Sequence, residues 1–216
     1  MWRVETIVYQ CDATDSCGCS KNDAVLTRII GGETAVSESW GWIVSLRFFS
    51  THICGGSIIN PNYVLTAAHC IKAITNFKYA EVVAGIDTIS QRNGQVRKIN
   101  KYWVHPNYNR ITYENDIAII KLSKPLKLKD KISKVCLPTA NYSTLQEYPV
   151  PGSNLVAIGW GAKSTTFSDS SDTLQQVTVQ AVSKLASTCT ITIKNPALQF
   201  CAGVNQGGKD TCQGDS

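Results

Sequence analysis

The chain has no run of 18 apolar residues, so no segment reads as a membrane-spanning helix. Its opening residues, Met1-Trp2-Arg3-Val4-Glu5, hold no apolar stretch of the kind that directs secretion. Charge is sparse: Asp, Glu, Lys and Arg make up 17%, and no block of five basic residues occurs. The net charge of +5 predicts a mildly basic, solvated surface and gives nucleic-acid binding no support. Cys-x-x-Cys is absent, and Cys17-Gly18-Cys19 is the one close pair, which is not zinc-ligand spacing. No helical apolar period runs beyond about ten residues, and nothing repeats at a solenoid period. These absences argue against a helical bundle, a repeat array and a zinc-stapled module.

What remains is a globular composition. At 216 residues and 43% hydrophobic content, the chain fits one large domain or a β domain built in two halves. Nine cysteines are too many for an ordinary reduced cytosolic protein and predict a disulfide framework in a secreted chain. A secreted chain without a leader is explained if Met1 is not the native start. Residues 1–28 hold three cysteines, many small polar residues and no repeating apolar pattern. So short a segment buries no core alone. It reads as a linker or propeptide at the tail of a missing upstream region.

From Trp40 onward, short strand signals alternate with Gly, Pro, Asn and Ser. Trp42 to Phe48 would place Trp42, Val44, Leu46 and Phe48 on one face. Further strands are predicted over His52 to Ile59, Tyr63 to Thr66, Ala80 to Ala84, Val96 to Val104, Asp116 to Leu122, Leu155 to Trp160, Leu174 to Val182 and Gln199 to Val204. Many short strands with regular turns imply an all-β barrel or sandwich. The polar stretch Lys163 to Asp172 reads as a surface loop.

Three motifs carry the chemistry: Thr66-Ala67-Ala68-His69-Cys70, Asn115-Asp116-Ile117-Ala118, and Gly214-Asp215-Ser216. Each alone has a bland reading, as a histidine beside a structural cysteine, an aspartate opening a strand, or a turn tripeptide. A serine hydroxyl becomes a useful nucleophile only with a base beside it and a group that orients the base. Together, in the order His, Asp, Ser, the motifs resemble the trypsin-like serine proteases of the chymotrypsin fold. The resemblance runs from Arg28 to Ser216 and includes Trp40-Gly41-Trp42, Leu137-Pro138 and Gly159-Trp160-Gly161.

That resemblance implies two packed six-stranded antiparallel barrels, the second left incomplete because the chain ends at Ser216. It implies a linker over 1–28 and a protease domain over 29–216. His69, Asp116 and Ser216 would be the triad, and the N–H groups of Gly214 and Ser216 the oxyanion hole. Arg28-Ile29-Ile30-Gly31-Gly32 resembles a zymogen activation site, at which the new terminus of Ile29 would pair with Asp215. Asp210 stands where the family carries the acid at the base of its specificity pocket, which implies cleavage after Arg or Lys. Cys54 would pair with Cys70 and Cys189 with Cys201. Cys136 would tether the segment before the activation site through Cys19 or Cys17, Cys11 would take the other or a partner upstream, and Cys212 would be left unpaired. His52 would shape the site without doing chemistry, and His105 would lie in a surface turn. Asn141-Tyr142-Ser143 fits an N-glycosylation acceptor. Gly85-Ile86-Asp87 departs from calcium-binding trypsins, so no metal and no cofactor are expected. The expected partners are protein or peptide substrates and an activating protease, with no nucleic acid and no membrane span. The competing reading is a non-catalytic homologue or inactive fragment that acts by binding; the 216-residue piece alone is expected to be inactive or insoluble.

Overall fold

The structure is a computed structural model that describes residues 6–12, 14–27, 32–138, 147–161 and 171–203. Two short strands, β1 (Thr6–Tyr9) and β2 (Ala24–Thr27), pair as a hairpin. After β3 (Glu33–Thr34) comes the first large unit, made of β4 (Ile43–Phe48), β5 (Thr51–Asn60), β6 (Tyr63–Thr66), β7 (Ala80–Ala84), β8 (Gln95–Val104) and β9 (Ala118–Leu122). These six strands close an antiparallel barrel in the order β4-β5-β6-β9-β8-β7. A second sheet holds β10 (Asn154–Gly159), β11 (Gln175–Val182) and β12 (Cys201–Gly203), and β3 pairs with β11 beside them. The expected all-β class and a six-stranded barrel are present, and the second sheet is open among the described residues.

The barrel closes because its alternating apolar residues fill it. Val44, Leu46, Ile58, Val64, Val82, Ala84, Ile120 and Leu122 are buried in one cluster, with Trp42, Phe48, Ile99 and Val104 packed against it. Side chains alone would not close six strands. Register irregularities opposite Leu46/Arg47, at Ile58/Asn60 and at Ile99/Lys101 bend β5 twice and β8 once around the core. Asn60 opens the β5–β6 turn by accepting the Asn62 N–H at 3.1 Å.

One difference from the sequence reading concerns β4. Alternation predicts a single buried face, yet Ile43, Ser45 and Arg47 are buried as well. The second sheet covers the outside of the barrel here. Ile43, Val83 and Ile86 meet Trp160 and Leu174 in a second apolar cluster, and the Trp160 Nε1–H donates to the Asp87 carbonyl at 3.1 Å. The Asp87 carboxylate accepts from Ser37 Oγ at 2.6 Å and from the Glu38 N–H at 3.0 Å, which ties two turns together.

The segment expected as a linker carries structure of its own. Ala24 and Leu26 are buried, and the Gln176 Nε2–H donates to the Val25 carbonyl at 2.7 Å. The Trp40 Nε1–H donates to the other end of the same carboxamide at 2.8 Å. Apolar periodicity could not reveal this, because only two side chains of β2 are needed to dock it.

Trp160 is fully buried and joins the barrel to the second sheet. Trp160→Ala is expected to lower unfolding free energy by about 3–5 kcal/mol, read as a lower denaturation midpoint in urea. Near-wild-type stability would mean the two halves do not depend on this contact.

Candidate active site

His69 lies in a short helix, α1 (Ala68–Ala73), that follows β6. Ala68 is buried and Cys70 and Ile71 pack in the barrel core, which turns His69 outward with its side chain about 34% exposed. The helix has no side-chain cap from Ala67, so its first-turn N–H groups need partners from elsewhere. Asp116 supplies one. Its Oδ1 accepts the His69 backbone N–H at 2.8 Å, and its Oδ2 accepts from the His69 ring at Nδ1, at 2.7 Å. One carboxylate therefore holds both the backbone and the ring of the same residue. A carboxylate at Nδ1 places the ring proton there and leaves the Nε2 lone pair available.

The loop that delivers Asp116 is braced by its own amides. Asn109 Oδ1 accepts the Ile111 N–H at 2.9 Å, and the Asn115 Nδ2–H donates to the Asn107 carbonyl at 3.0 Å. Tyr113 and Asn115 both hold positive φ, 55° and 58°, a conformation that costs a non-glycine residue about 1–2 kcal/mol. This tight path explains why β9 begins at Ala118 and not at Asp116, where the apolar pattern would start it. The Tyr113 ring stands edge-on to His69 at 6.0 Å. Burial first, and then the neighbouring Asp116 charge, push the Tyr108 phenol above its ordinary pKa. From the second half of the chain, the Gln199 Nε2–H donates to the Thr112 carbonyl at 3.1 Å and links the two units beside the site.

Behind the imidazole lies a disulfide. Cys54 and Cys70 are bonded, and their sulfurs stand 3.9 and 3.4 Å from Nε2. Cys54, His69 and Cys70 thus cluster like three ligands. Both sulfurs are oxidised, however, and a disulfide offers no thiolate to a metal. The cross-link ties β5 to α1 and is worth roughly 3 kcal/mol in the chain-entropy model. A cavity of about 350 Å³ opens next to Asp116, lined by Gly55, Gly56, Thr66, Ala67, Ile117 and Ile158 among others.

The remaining cysteines follow the same plan. Cys189 pairs with Cys201, Cys17 with Cys136, and Cys11 with Cys19. Of the two partners considered for Cys136, Cys17 takes the bond and Cys19 turns back to Cys11. Gly18 between them has φ 75°, and a side chain there would meet the Cys136 sulfur at 3.2 Å. His52 is structural: its Nδ1 lies 2.9 Å from Ser45 Oγ, and its ring stands edge-on to Trp160. His105 opens a turn, its carbonyl accepting the Tyr108 N–H at 3.0 Å. Ser216, Gly214, Asp215, Asp210, Arg28, Ile29, Cys212 and Asn141 lie outside the described residues. Sequence reasoning missed Tyr113 and Asn109, and it named Asn115 only as a motif neighbour of Asp116, without its bracing role. The asparagines, spaced through a turn-rich stretch, were the available signal for a braced loop.

The trypsin family's sequence model, described as "Trypsin", matches residues 29–216. The chain belongs to the trypsin family. It is 34% identical over 221 residues to "Serine proteinase stubble" of Drosophila melanogaster, an alignment covering 94% of this chain and 27% of that protein. It is 36% identical over 191 residues to "Putative trypsin-6" of Homo sapiens, covering 88% and 72%. The chain therefore spans about a quarter of the first relative's length and under three quarters of the second's. Within this trypsin-family chain, the Asp116 that holds His69 by two hydrogen bonds also lines a cavity walled by barrel residues and by Ile158 of β10.

In Asp116→Asn, the carboxamide still accepts one N–H but loses the charged acceptor at the ring. Nitrogen-15 spectra of His69 are expected to show the neutral ring protonated at Nδ1 in the parent chain and a mixture of both tautomers in the variant. An unchanged tautomer would show that Asp116 does not select it.

Proposed function

We propose that this chain is the protease part of a secreted, trypsin-like serine endopeptidase, made as a zymogen and cutting protein substrates after Arg or Lys. The observation that carries the reading is the Asp116 carboxylate holding His69 at both its backbone and its Nδ1. A histidine fixed in that tautomer is a base in search of a proton donor. The trypsin-family match reaches Ser216, which supplies the hydroxyl in this reading.

The reaction is acyl transfer in two halves. Nε2 of His69 takes the Ser216 proton as Oγ attacks the substrate carbonyl carbon. The negative oxygen that forms is met by the N–H groups of Gly214 and Ser216, donors worth roughly 3 kcal/mol each in such sites. The tetrahedral centre then expels the amine, which leaves with the proton from His69, and an ester to Ser216 remains. Water, deprotonated by the same imidazole, releases the acid and restores the hydroxyl. Asp116 stays ionised throughout and stabilises the imidazolium; these roles follow the worked template for this same family.

Two further assignments belong to this proposal. Asp210 forms the floor of the pocket that selects a long cationic side chain, since an isolated buried carboxylate demands a partner. Cleavage of the Arg28–Ile29 bond by an activating protease frees an ammonium on Ile29, which pairs with Asp215 and forms the oxyanion hole. The cysteine framework supports an extracellular setting: all eight described cysteines are in disulfides. The Cys17–Cys136 bond would keep residues 6–27 attached after that cut.

The test is labelling of the activated full-length protein with a fluorophosphonate. Stoichiometric label on Ser216 is expected, absent in Ser216→Ala and slowed at least a hundredfold in His69→Ala. Equal labelling of the parent and His69→Ala would contradict the assignment. A separate prediction concerns activation: Ile29→Asp is expected to permit cleavage after Arg28 yet leave the protein inactive, because the new ammonium would carry beside it a carboxylate that repels Asp215 and resists the burial an isoleucine tolerates. Normal turnover by the cleaved variant would exclude the ion-pair step.

A further inference from the structure

Beside the first residues of β8, the barrel carries charge that proteolysis does not use. Residues 121–134 hold six lysines, at 121, 124, 127, 129, 131 and 134, against the single acid Asp130. No five of them are consecutive, which is why the sequence shows no basic block. The fold gathers them. Leu122, Leu126 and Ile132 are buried and Leu128 packs on the barrel core, so Lys124, Lys127 and Lys129 are left exposed between these anchors.

The strip is held in place. Gln95 in β8 grips Lys127 at both backbone groups: its Oε1 accepts the N–H at 3.0 Å, and its Nε2–H donates to the carbonyl at 3.0 Å. Arg97 Nε donates to the Pro125 carbonyl at 3.0 Å, and the rest of its guanidinium is oriented by the Val96 carbonyl and Gln95 Oε1. Among the described residues, no carboxylate pairs with Arg97, Lys124 or Lys127. The nearby acids do little to cancel the charge. Glu81 is taken by Lys98 at 3.0 Å. Asp130 meets Lys129 only at 3.6 Å with both groups about 70% exposed, a pair of negligible strength.

The character of the strip selects its ligand. A folded protein partner draws affinity from apolar or aromatic anchors seated in pockets, and residues 124–134 expose no large apolar side chain. Lys127 and Lys129 are both exposed and flank Leu128, which packs on the barrel core. Repeated cations on a braced backbone, with nothing apolar between them, suit a flexible linear polyanion whose bound counterions are released on contact. We propose that Arg97, Lys124, Lys127 and Lys129 form a docking face for a sulfated polysaccharide. This face is independent of the His69–Asp116 site and of the proteolytic reading.

The experiment measures binding of the full chain to a defined sulfated polysaccharide across a salt series. In the triple variant Lys124→Gln/Lys127→Gln/Lys129→Gln, the slope of log affinity against log salt is expected to fall by roughly three. Affinity at physiological salt should drop at least about tenfold. A control triple, Lys72→Gln/Lys78→Gln/Lys101→Gln, removes the same charge from exposed positions elsewhere and should change the affinity far less. A triple Lys→Arg variant at 124, 127 and 129 should bind like the parent. Equal losses from both Gln triples would overturn the proposal in favour of diffuse charge. Displacement of the polysaccharide by polyglutamate at equal charge concentration would overturn it in favour of an acidic peptide.

Discussion

The Asp116 carboxylate is the contact on which the candidate site depends. Its two oxygens satisfy two different needs of one residue, an orphan N–H at the start of α1 and the ring nitrogen of His69. The first need is structural and would exist in any helix without a cap. The second is chemical. Because one group meets both, the position of the ring is coupled to the position of the helix, and the helix is fixed by Cys70 and Ile71 in the barrel core. Removing the acid would leave a backbone donor unmet as well as a ring free to turn.

Geometry at this scale needs rigid supports, and the barrel supplies them from several strands. Asp116 arrives just before β9, His69 just after β6, and those two strands pair directly, with Thr66 opposite Ala118. The disulfide from Cys54 in β5 to Cys70 holds the far side of α1. The loop carrying Asp116 accepts two left-handed non-glycine residues to make its turn, with side-chain amides bracing it. Backbone strain next to a reactive group is the usual place to find it. The second half of the chain packs Trp160 and Leu174 against the outside of the barrel and sends Gln199 to the loop carrying Asp116.

Much of this was legible in the sequence, and the reasons for the gaps are physical. Strands β6 and β7 lie where apolar residues and flanking turns put them, although Val83 of β7 faces the second cluster and not the barrel core. For β4 the alternation held but misled, since it could not register a second sheet on the outer face. The helix carrying His69 has only six residues, too few for a period to emerge. The His69 and Asp116 motifs were readable as candidates, whereas their meeting required tertiary structure. The choice between Cys17 and Cys19 turned on the left-handed bend at Gly18, which spacing does not encode. The lysine strip was invisible as a motif because apolar anchors interrupt it. Those same anchors explain its exposure.

The central claim is that the His69–Asp116 pair serves as the base for Ser216 in acyl transfer. Active-site titration of the activated full-length protein with a guanidinobenzoate ester tests it most directly. The account predicts a burst of one leaving group per chain, absent in Ser216→Ala and slowed by orders of magnitude in His69→Ala. A burst of undiminished rate in His69→Ala, or none in the correctly cleaved parent, would contradict it.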